Sequence, residues 1–276
     1  MQNHMKECRN EGVPFLTFPE LSELPQFHHA FSTRLGGISQ GYLASMNLGF
    51  GRGDDEKTVL RNYKIFCHAT GFPIESLVLA AQDHHTNIRR VGRKDRGAGI
   101  LFPKPWQSVD GLITNDKGVT LCVFGADCVP ILIVDPISHA IGVCHAGWRG
   151  TVGKIAAKTV FSMQREFGSL PQNLQAFIGP SIGPCCFEVD EPVEREFAAL
   201  KTLQPETLIE KKPNGKYYID LWETNARILK EAGVPKVTIG GLCTKCHPEL
   251  VWSHRASGGK RGGMCGMLMI GEEEER

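Results

Sequence analysis

The sequence has no apolar run that approaches the roughly 18 residues needed to cross a bilayer. It also lacks an excess of either charge, because 31 basic residues face 30 acidic ones and leave a net charge of +1. That balance argues against a chain built to bind nucleic acid or an anionic membrane surface. We therefore expect a small substrate bound in a local pocket, with no nucleic-acid partner and no membrane.

The first 14 residues lack both the apolar core of a signal peptide and the Arg- and Ser-rich composition of a transit peptide. A cytoplasmic location is therefore expected, and the ten cysteines are interpreted as reduced thiols rather than a disulfide framework. Residues 1–14 are polar and residues 271–276 are mostly glutamate, so both segments are predicted to be flexible ends.

Hydrophobic residues make up 41% of the chain, enough to bury a normal core, and no repeat or low-complexity linker divides it. We therefore predict one domain over residues 1–276. Helix spacing and helix-ending residues predict helices at 151–166, 192–200 and 221–232. Short apolar segments bounded by turn residues predict strands at 27–32, 77–81, 119–124, 131–134, 140–144, 174–178, 237–242 and 264–270. This mixture predicts an α+β fold, with mixed sheets flanked by helices.

Three possible metal ligands lie where a predicted strand gives way to a loop, namely His84, Cys128 and His145. Such positions fix the backbone on a strand and leave the side chain free to react. Three protein ligands leave a fourth position open for water or substrate, which is typical of catalytic rather than structural zinc. Spacing alone leaves open whether these residues meet, since a lone His or Cys is more often structural.

Several motifs that occur in order between residues 27 and 270 together resemble the YfiH family, also called the laccase-domain or polyphenol-oxidase-like family. The most specific is His-Ala-Gly-Trp-Arg-Gly at 145–150, and the others lie at 31–37, 45–49, 82–84, 110–114, 126–130 and 178–183. The resemblance implies a single domain with mixed β-sheets layered between helices. It also implies a zinc site formed by His84, Cys128 and His145.

The same resemblance implies an enzyme of purine nucleosides. Its expected reaction is the phosphorolysis of adenosine, inosine or methylthioadenosine to the base and ribose 1-phosphate, with adenosine deamination as a side activity. A substrate among cell-wall precursors stays open. Deamination at zinc needs a proton shuttle, and Asp127 and Glu188 are chemically suitable candidates.

Phosphorolysis requires a phosphate site. Arg149 lies at the start of a predicted helix, where free backbone N–H groups favour anions. Its alternative role is to pair with a structural carboxylate. Arg34 and Arg255 are further candidates for anion binding, and Asn47 is a candidate for binding ribose or base.

Three other interpretations remain at this point. Cys128 as a nucleophile with His145 as its base would make a cysteine hydrolase or deamidase. A copper-dependent polyphenol oxidase is the second, although the ten histidines include no His-x-His pair of the kind that multicopper sites need. The third is a non-catalytic zinc-binding module. Oligomeric state is not predicted.

Cysteines also occur as a neighbouring pair, Cys185 and Cys186, and as a Cys-x-x-Cys motif, Cys243 and Cys246. The second motif resembles half of a zinc ribbon whose other Cys-x-x-Cys is absent. We interpret both pairs as structural thiols.

Overall fold

A computed structural model describes residues 3–272, and within them the chain forms fifteen strands and six α-helices. The strands are β1 (Lys6–Asn10), β2 (Val13–Thr17), β3 (Phe27–Ser32), β4 (Leu77–Leu79), β5 (Ile88–Arg90), β6 (Gly111–Thr114), β7 (Thr120–Gly125), β8 (Val129–Asp135), β9 (Ala140–Ala146), β10 (Gln175–Ile178), β11 (Glu188–Val189), β12 (Ile209–Lys211), β13 (Tyr217–Ile219), β14 (Lys236–Ile239) and β15 (Met264–Ile270). The helices are α1 (Pro19–Ser22), α2 (Glu56–Thr70), α3 (Trp148–Val152), α4 (Ile155–Phe167), α5 (Glu191–Ala198) and α6 (Leu221–Glu231).

Two six-stranded sheets form the centre of the fold. The first has the order β1-β2-β3-β15-β7-β4 and the second the order β14-β10-β8-β9-β6-β5, while β11, β13 and β12 form a small third sheet. Each large sheet is mostly antiparallel, with parallel pairs at its edges: β4 with β7, β10 with β14, and β5 with β6. Mixed sheets, as predicted, are confirmed.

The two large sheets pack against each other, and helices cover their outer faces. Phe66 of α2 belongs to the core that covers the outer face of the first sheet. Val160 of α4 belongs to the core that covers the outer face of the second sheet. Along β9, Val143 belongs to the core between the sheets and Cys144 to the core beneath α4. Because both faces are covered, β8 and β9 are buried at every position and read as continuous apolar runs. The α+β layout with sheets layered between helices is therefore confirmed.

Two local features of the helices differ from the sequence predictions. Helix α2 was not predicted, although Asp55 accepts a hydrogen bond from Thr58 N at 3.0 Å at its start and Gly71 ends it with a φ of 77°. The helix expected over 151–166 is two helices, α3 and α4, because Lys154 adopts a left-handed φ of 55° between them.

The N-terminal segment 1–14, expected to be a flexible end, contains β1 and the start of β2, which pair antiparallel. The expected flexible end 271–276 lies mostly outside the described residues. No helix among residues 3–272 has both the length and the apolar character required to span a membrane.

Candidate metal centre

Three strand ends meet at one edge of the two packed sheets and bring His84, Cys128 and His145 together. His84 follows β4 of the first sheet, Cys128 lies in the turn from β7 to β8 where the chain passes between the sheets, and His145 lies near the end of β9. One ligand atom from each residue lies within 4.8 Å of the other two. The imidazole centroids are 5.0 Å apart at an interplanar angle of 71°. The convergence that spacing left open is therefore present.

A buried carboxylate, Asp110, organises two of these strand ends. It is fully buried, and its Oδ1 accepts a hydrogen bond from His145 Nδ1 at 2.8 Å. Its two oxygens also accept the backbone N–H groups of residues 83–85 at 3.0–3.2 Å. Because Asp110 engages Nδ1, the other ring nitrogen of His145 is left to face a ligand.

The loop that carries His84 is tied to the end of β7 by the side-chain amide of Gln82. Gln82 Nε2 donates to Phe124 O at 2.8 Å, and Phe124 N donates to Gln82 Oε1 at 2.7 Å. His84 itself has a φ of 72°, an uncommon conformation for a residue with a Cβ. Asp110 and Gln82 hold this turn in place, which accounts for the Gln-x-His pattern.

Gly147 leaves room for the three candidate ligands. A Cβ atom at this position would lie 3.0 Å from Cys128 Sγ, 3.1 Å from His84 Cδ2 and 3.7 Å from His145 Cε1. Its φ of −61° is available to any residue, so the requirement for glycine comes from space rather than from backbone conformation. Any larger residue would occupy the volume into which the ligand atoms converge.

Electrostatics in this cluster favour a thiolate beside an imidazolium. Burial alone would raise the pKa of the Cys128 thiol, but hydrogen bonds and charge from His145 and His84 lower it to about 6. Burial alone would lower the pKa of His145, but Asp110 and Cys128 raise it to about 9. A site that stabilises a thiolate suits a cation, because thiolates rather than thiols bind metals.

A cleft with a cavity volume of about 220 Å³ opens over the three candidate ligands, all of which line it. Three cationic side chains also line it: Arg52, Lys104 and Arg261. Among the described residues of the lining, none carries a carboxylate and none is methionine. The cleft therefore combines a metal-type donor set with an anion-attracting wall.

Arg261 is the cation of this wall with the clearest unused donor. Its Nη1 donates to Gly262 O at 3.0 Å, whereas its Nε is buried without a partner among the described residues. Burial and the neighbouring charge of Arg52 lower the pKa of Arg261 to about 10. Lys104 Nζ donates one hydrogen bond, to Ala80 O at 3.2 Å, and retains further donors for a ligand.

The four other predicted binding residues lie outside the cleft lining, and their roles stay predictions. Arg149 stacks over Trp148 at 4.2 Å and lines a separate shallow hollow beside His84, on a helix of five residues. Arg34 donates to Pro248 O and Ala44 O.

Asn47 is fully buried and binds backbone N–H groups of Gly49 and Gly263, each at 2.9 Å. Arg255 donates from its side chain to Glu188 O at 2.9 Å. Asp127, a candidate proton shuttle, accepts hydrogen bonds from Thr244 Oγ1 and Arg255 N, each at 2.6 Å. Each of these polar groups already has partners within the protein.

Five residues of the site were not singled out from sequence: Asp110, Gly147, Arg52, Lys104 and Arg261. Asp110 and Gly147 did occur inside two of the family motifs, and this was the available signal. Arg52 and Lys104 occur in no motif. Only the fold places them beside the ligands, because they belong to loops distant in sequence from all three.

Comparisons with known proteins identify the family and the fold of the chain. Residues 28–271 match the family described as "Multi-copper polyphenol oxidoreductase laccase". The purine nucleoside phosphorylase YlmD of Geobacillus stearothermophilus is 40% identical over 250 residues, which cover 88% of this chain and 89% of that one. A protein named adenosine deaminase RL5, from an unknown prokaryotic organism, is 34% identical over 233 residues, covering 83% of this chain and 88% of that one.

Among solved structures, the hypothetical protein YfiH of Bacillus licheniformis superposes with a TM-score of 0.88 at 33% sequence identity. The alignment covers 93% of this chain and 96% of that one. The shared fold therefore extends over nearly the whole length of both proteins.

Proposed function

Since this chain belongs to the multi-copper polyphenol oxidoreductase laccase family, we propose that it is a zinc-dependent purine nucleoside phosphorylase. Its expected substrates are adenosine, inosine and methylthioadenosine. Its products are the free base and ribose 1-phosphate, or 5-methylthioribose 1-phosphate when the substrate is methylthioadenosine. Adenosine deamination is proposed as a side activity. The observation that carries the proposal is the convergence of His84, Cys128 and His145 beneath a cleft walled by cations.

Support for the metal comes from the donor set. Thiolate sulfur and imidazole nitrogen are both zinc ligands, the Cys128 thiol has a lowered pKa, and three protein ligands leave a position open. Asp110 fixes the orientation of His145, as carboxylates commonly do for zinc-binding histidines. A zinc ion held here would supply Lewis-acid chemistry to a substrate atom in the cleft.

Support for phosphorolysis comes from the wall of the cleft. In this reaction the bond from the ribose C1′ atom to the base nitrogen breaks, and a bond from C1′ to a phosphate oxygen forms. The attacking phosphate is an anion, and Arg52, Lys104 and Arg261 offer it charge and N–H donors. We assign the phosphate site to these three residues rather than to Arg149.

Two phenylalanines give the cleft an apolar surface that suits a flat base. Phe124 and Phe50 both line it, and Phe50 is itself supported by Tyr63, with ring centroids 5.7 Å apart at 14°. Aromatic rings accept stacking from any nucleobase. This arrangement supports purines as a class without ranking adenosine against inosine.

Deamination is the second candidate, and it rests on the name of one relative. Zinc deaminases use a glutamate as the general acid and base. The described lining of the cleft holds no carboxylate, and both carboxylate oxygens of Asp127 accept hydrogen bonds outside it. Phosphorolysis is therefore placed first and deamination second.

Copper oxidase chemistry is a weaker alternative. A blue copper site commonly adds a weak axial methionine to its two histidines and cysteine, and the described lining has no methionine. The cysteine hydrolase alternative keeps Cys128 and His145 without a metal, and the non-catalytic zinc module keeps the metal without turnover. The cytoplasmic location and the absence of nucleic-acid or membrane partners stay predictions.

The test combines metal analysis with product analysis. The purified protein is expected to hold zinc and to release adenine from adenosine only when phosphate is present. His84→Ala should lose this zinc and the activity. His85→Ala is the matched control, because His85 is the exposed neighbour whose Nδ1 bonds Asp83 at 2.8 Å.

Turnover that survives a chelator but is lost on alkylation of Cys128 would replace this proposal with the cysteine hydrolase. Bound zinc without any turnover of nucleosides would instead support the non-catalytic zinc-binding module.

A further inference from the structure

Four cysteines outside the candidate metal centre meet at a second edge of the fold. Cys185 and Cys186 lie in the loop after β10, and Cys243 and Cys246 lie in the loop after β14. Because β10 and β14 are parallel neighbours, their carboxyl ends reach the same edge of the sheet. A bridge between Ser181 and Cys243 continues that pairing into the two loops.

The sulfur atoms form a compact group, referred to below as the four-cysteine cluster. All four Sγ atoms lie within 4.8 Å of one another. Cys246 Sγ lies 3.6 Å from Cys185 Sγ and 3.5 Å from Cys186 Sγ. All four are free cysteines, so no disulfide accounts for the proximity.

These spacings match a tetrahedral zinc site. With zinc–sulfur bonds of about 2.3 Å, the sulfur atoms of a tetrahedral Cys₄ site lie about 3.8 Å apart. The distances from Cys246 are close to that value. The Cys-x-x-Cys spacing of one pair is also typical of zinc ligands. The sequence lacks the second Cys-x-x-Cys motif of a zinc ribbon, but the fold brings Cys185 and Cys186 to the position of those two ligands.

The surroundings of the cluster suit a structural site. Gly183 N donates to Cys243 Sγ at 3.2 Å, the type of hydrogen bond that supports a metal-bound thiolate. Cys243 is buried, whereas Cys185 and Cys246 are exposed, so an ion has a path from solvent. Four protein ligands fill a tetrahedral ion and leave no open position, which separates this cluster from the three-ligand centre.

The loop that holds half of the cluster also contacts the candidate metal centre. Thr244 lies between the two cysteines of Cys-x-x-Cys, and its backbone N donates to Ser181 O at 3.0 Å. Its hydroxyl donates to Asp127 Oδ1 at 2.6 Å. Asp127 precedes Cys128 and has a φ of 93°. Fixing this loop therefore fixes the turn that presents Cys128.

We propose that Cys185, Cys186, Cys243 and Cys246 bind a second zinc ion, which joins the loops after β10 and β14 behind the candidate metal centre. The site is independent of the proposed activity, since it needs neither the cleft nor a nucleoside.

The test measures zinc per chain by elemental analysis in the full-length protein and its variants. The wild type should hold two zinc ions, His84→Ala and Cys246→Ser one each, and the double variant none. Cys8→Ser, a half-buried thiol outside both sites, is the matched control and should hold two. In His84→Ala the remaining ion should show four sulfur neighbours at about 2.3 Å by X-ray absorption.

One zinc in the wild type with none in His84→Ala would overturn the proposal, as would full zinc content in Cys246→Ser. If Cys246→Ser does not fold, the X-ray absorption spectrum of zinc in the wild-type protein decides. A spectrum that shows only one sulfur and two nitrogen neighbours contradicts a second site. A disulfide between Cys246 and either neighbour in protein purified with zinc under reducing conditions also contradicts it. Nucleoside turnover enters none of these readouts, so the failure of either proposal is recognised separately.

Discussion

The carboxylate of Asp110 accepts a hydrogen bond from His145 Nδ1 at 2.8 Å while it also binds the backbone that carries His84. A single buried side chain thus positions two of the three candidate ligands. In addition, the hydrogen bond and the charge of Asp110 raise the pKa of His145, although burial alone would lower it. The geometry of the site depends on this residue as much as on the ligands.

We predict that Asp110→Asn weakens zinc binding by about tenfold to a hundredfold, the usual effect of losing a partner of a zinc-binding histidine. An amide is a poorer acceptor for His145 Nδ1–H and for the three N–H groups of residues 83–85. Competition with a chromogenic chelator measures the affinity. Asp135→Asn is the control, because Asp135 is also fully buried and bound to Ser138, but lies at the end of β8 opposite to Cys128. Equal affinities in the two variants would argue against the role of Asp110.

Gly147→Ala is predicted to lower metal content without unfolding the protein. The added methyl group would meet Cys128 Sγ at 3.0 Å and His84 Cδ2 at 3.1 Å, both closer than ordinary contact. Elemental analysis and circular dichroism measure the two effects. Gly271→Ala is the control, since its nearest atom would be Gln26 O at 3.7 Å. A variant that binds metal as tightly as the wild type would mean that the ligands do not converge at Gly147.

Acid is predicted to destabilise the fold through His29. Burial, and to a lesser degree the charge of His28, lower its pKa from 6.5 to about 3. The unfolded chain therefore binds one more proton than the native protein between these two values. The free energy of unfolding should fall by up to about 1.4 kcal/mol per pH unit as pH drops from 6.5 towards 3.

Urea unfolding of wild type and His29→Gln across this pH range measures the effect. The variant should lose this part of the slope, while His68→Gln, which changes an exposed histidine, should keep it. Parallel slopes for wild type and His29→Gln would contradict the assignment. Absolute stability is not the readout, because the variant also disturbs the hydrogen bond that Phe18 N donates to His29 Nε2 at 2.8 Å.

Sequence reasoning was most successful for the buried strands. The strands predicted at 27–32 and 264–270 agree with β3 and β15 at both ends. Strand β15 is buried at every position and therefore forms a continuous apolar run. It was least successful for α2 and for the break at Lys154. One left-handed residue interrupts a helix without altering the apolar spacing around it. Membership of the family, predicted from motifs, is confirmed by the match over residues 28–271.

The candidate site likewise has some residues that the sequence indicates and others that only the fold places there. Strand ends drew attention to His84, Cys128 and His145, since such positions are visible in a sequence. Arg261 and Lys104 reach the same cleft from loops far along the chain. No local pattern encodes that approach, because it depends on how the two sheets pack. The predicted phosphate residue Arg149 was chosen from a helix start, and that helix has only five residues.

Arg261→Gln is predicted to raise the KM for phosphate, with zinc content unchanged. Loss of a charge-assisted hydrogen bond costs about 2 kcal/mol, or roughly a thirtyfold weaker affinity. Arg261 is favoured because it lines the cleft, whose described lining holds no carboxylate, and because its Nε has no partner among the described residues. Steady-state kinetics at saturating nucleoside and varied phosphate give the measurement.

Arg149→Gln is the matched variant, because it removes the same charge from the hollow beside His84, where the guanidinium stacks on Trp148 at 4.2 Å. We expect its KM for phosphate to stay within a few-fold of wild type, since surface charges act weakly across solvent. The opposite ranking, with Arg149→Gln impaired and Arg261→Gln normal, would move the phosphate to the start of α3. The cleft over the three ligands would then hold the nucleoside alone, and phosphate would approach from the side of His84.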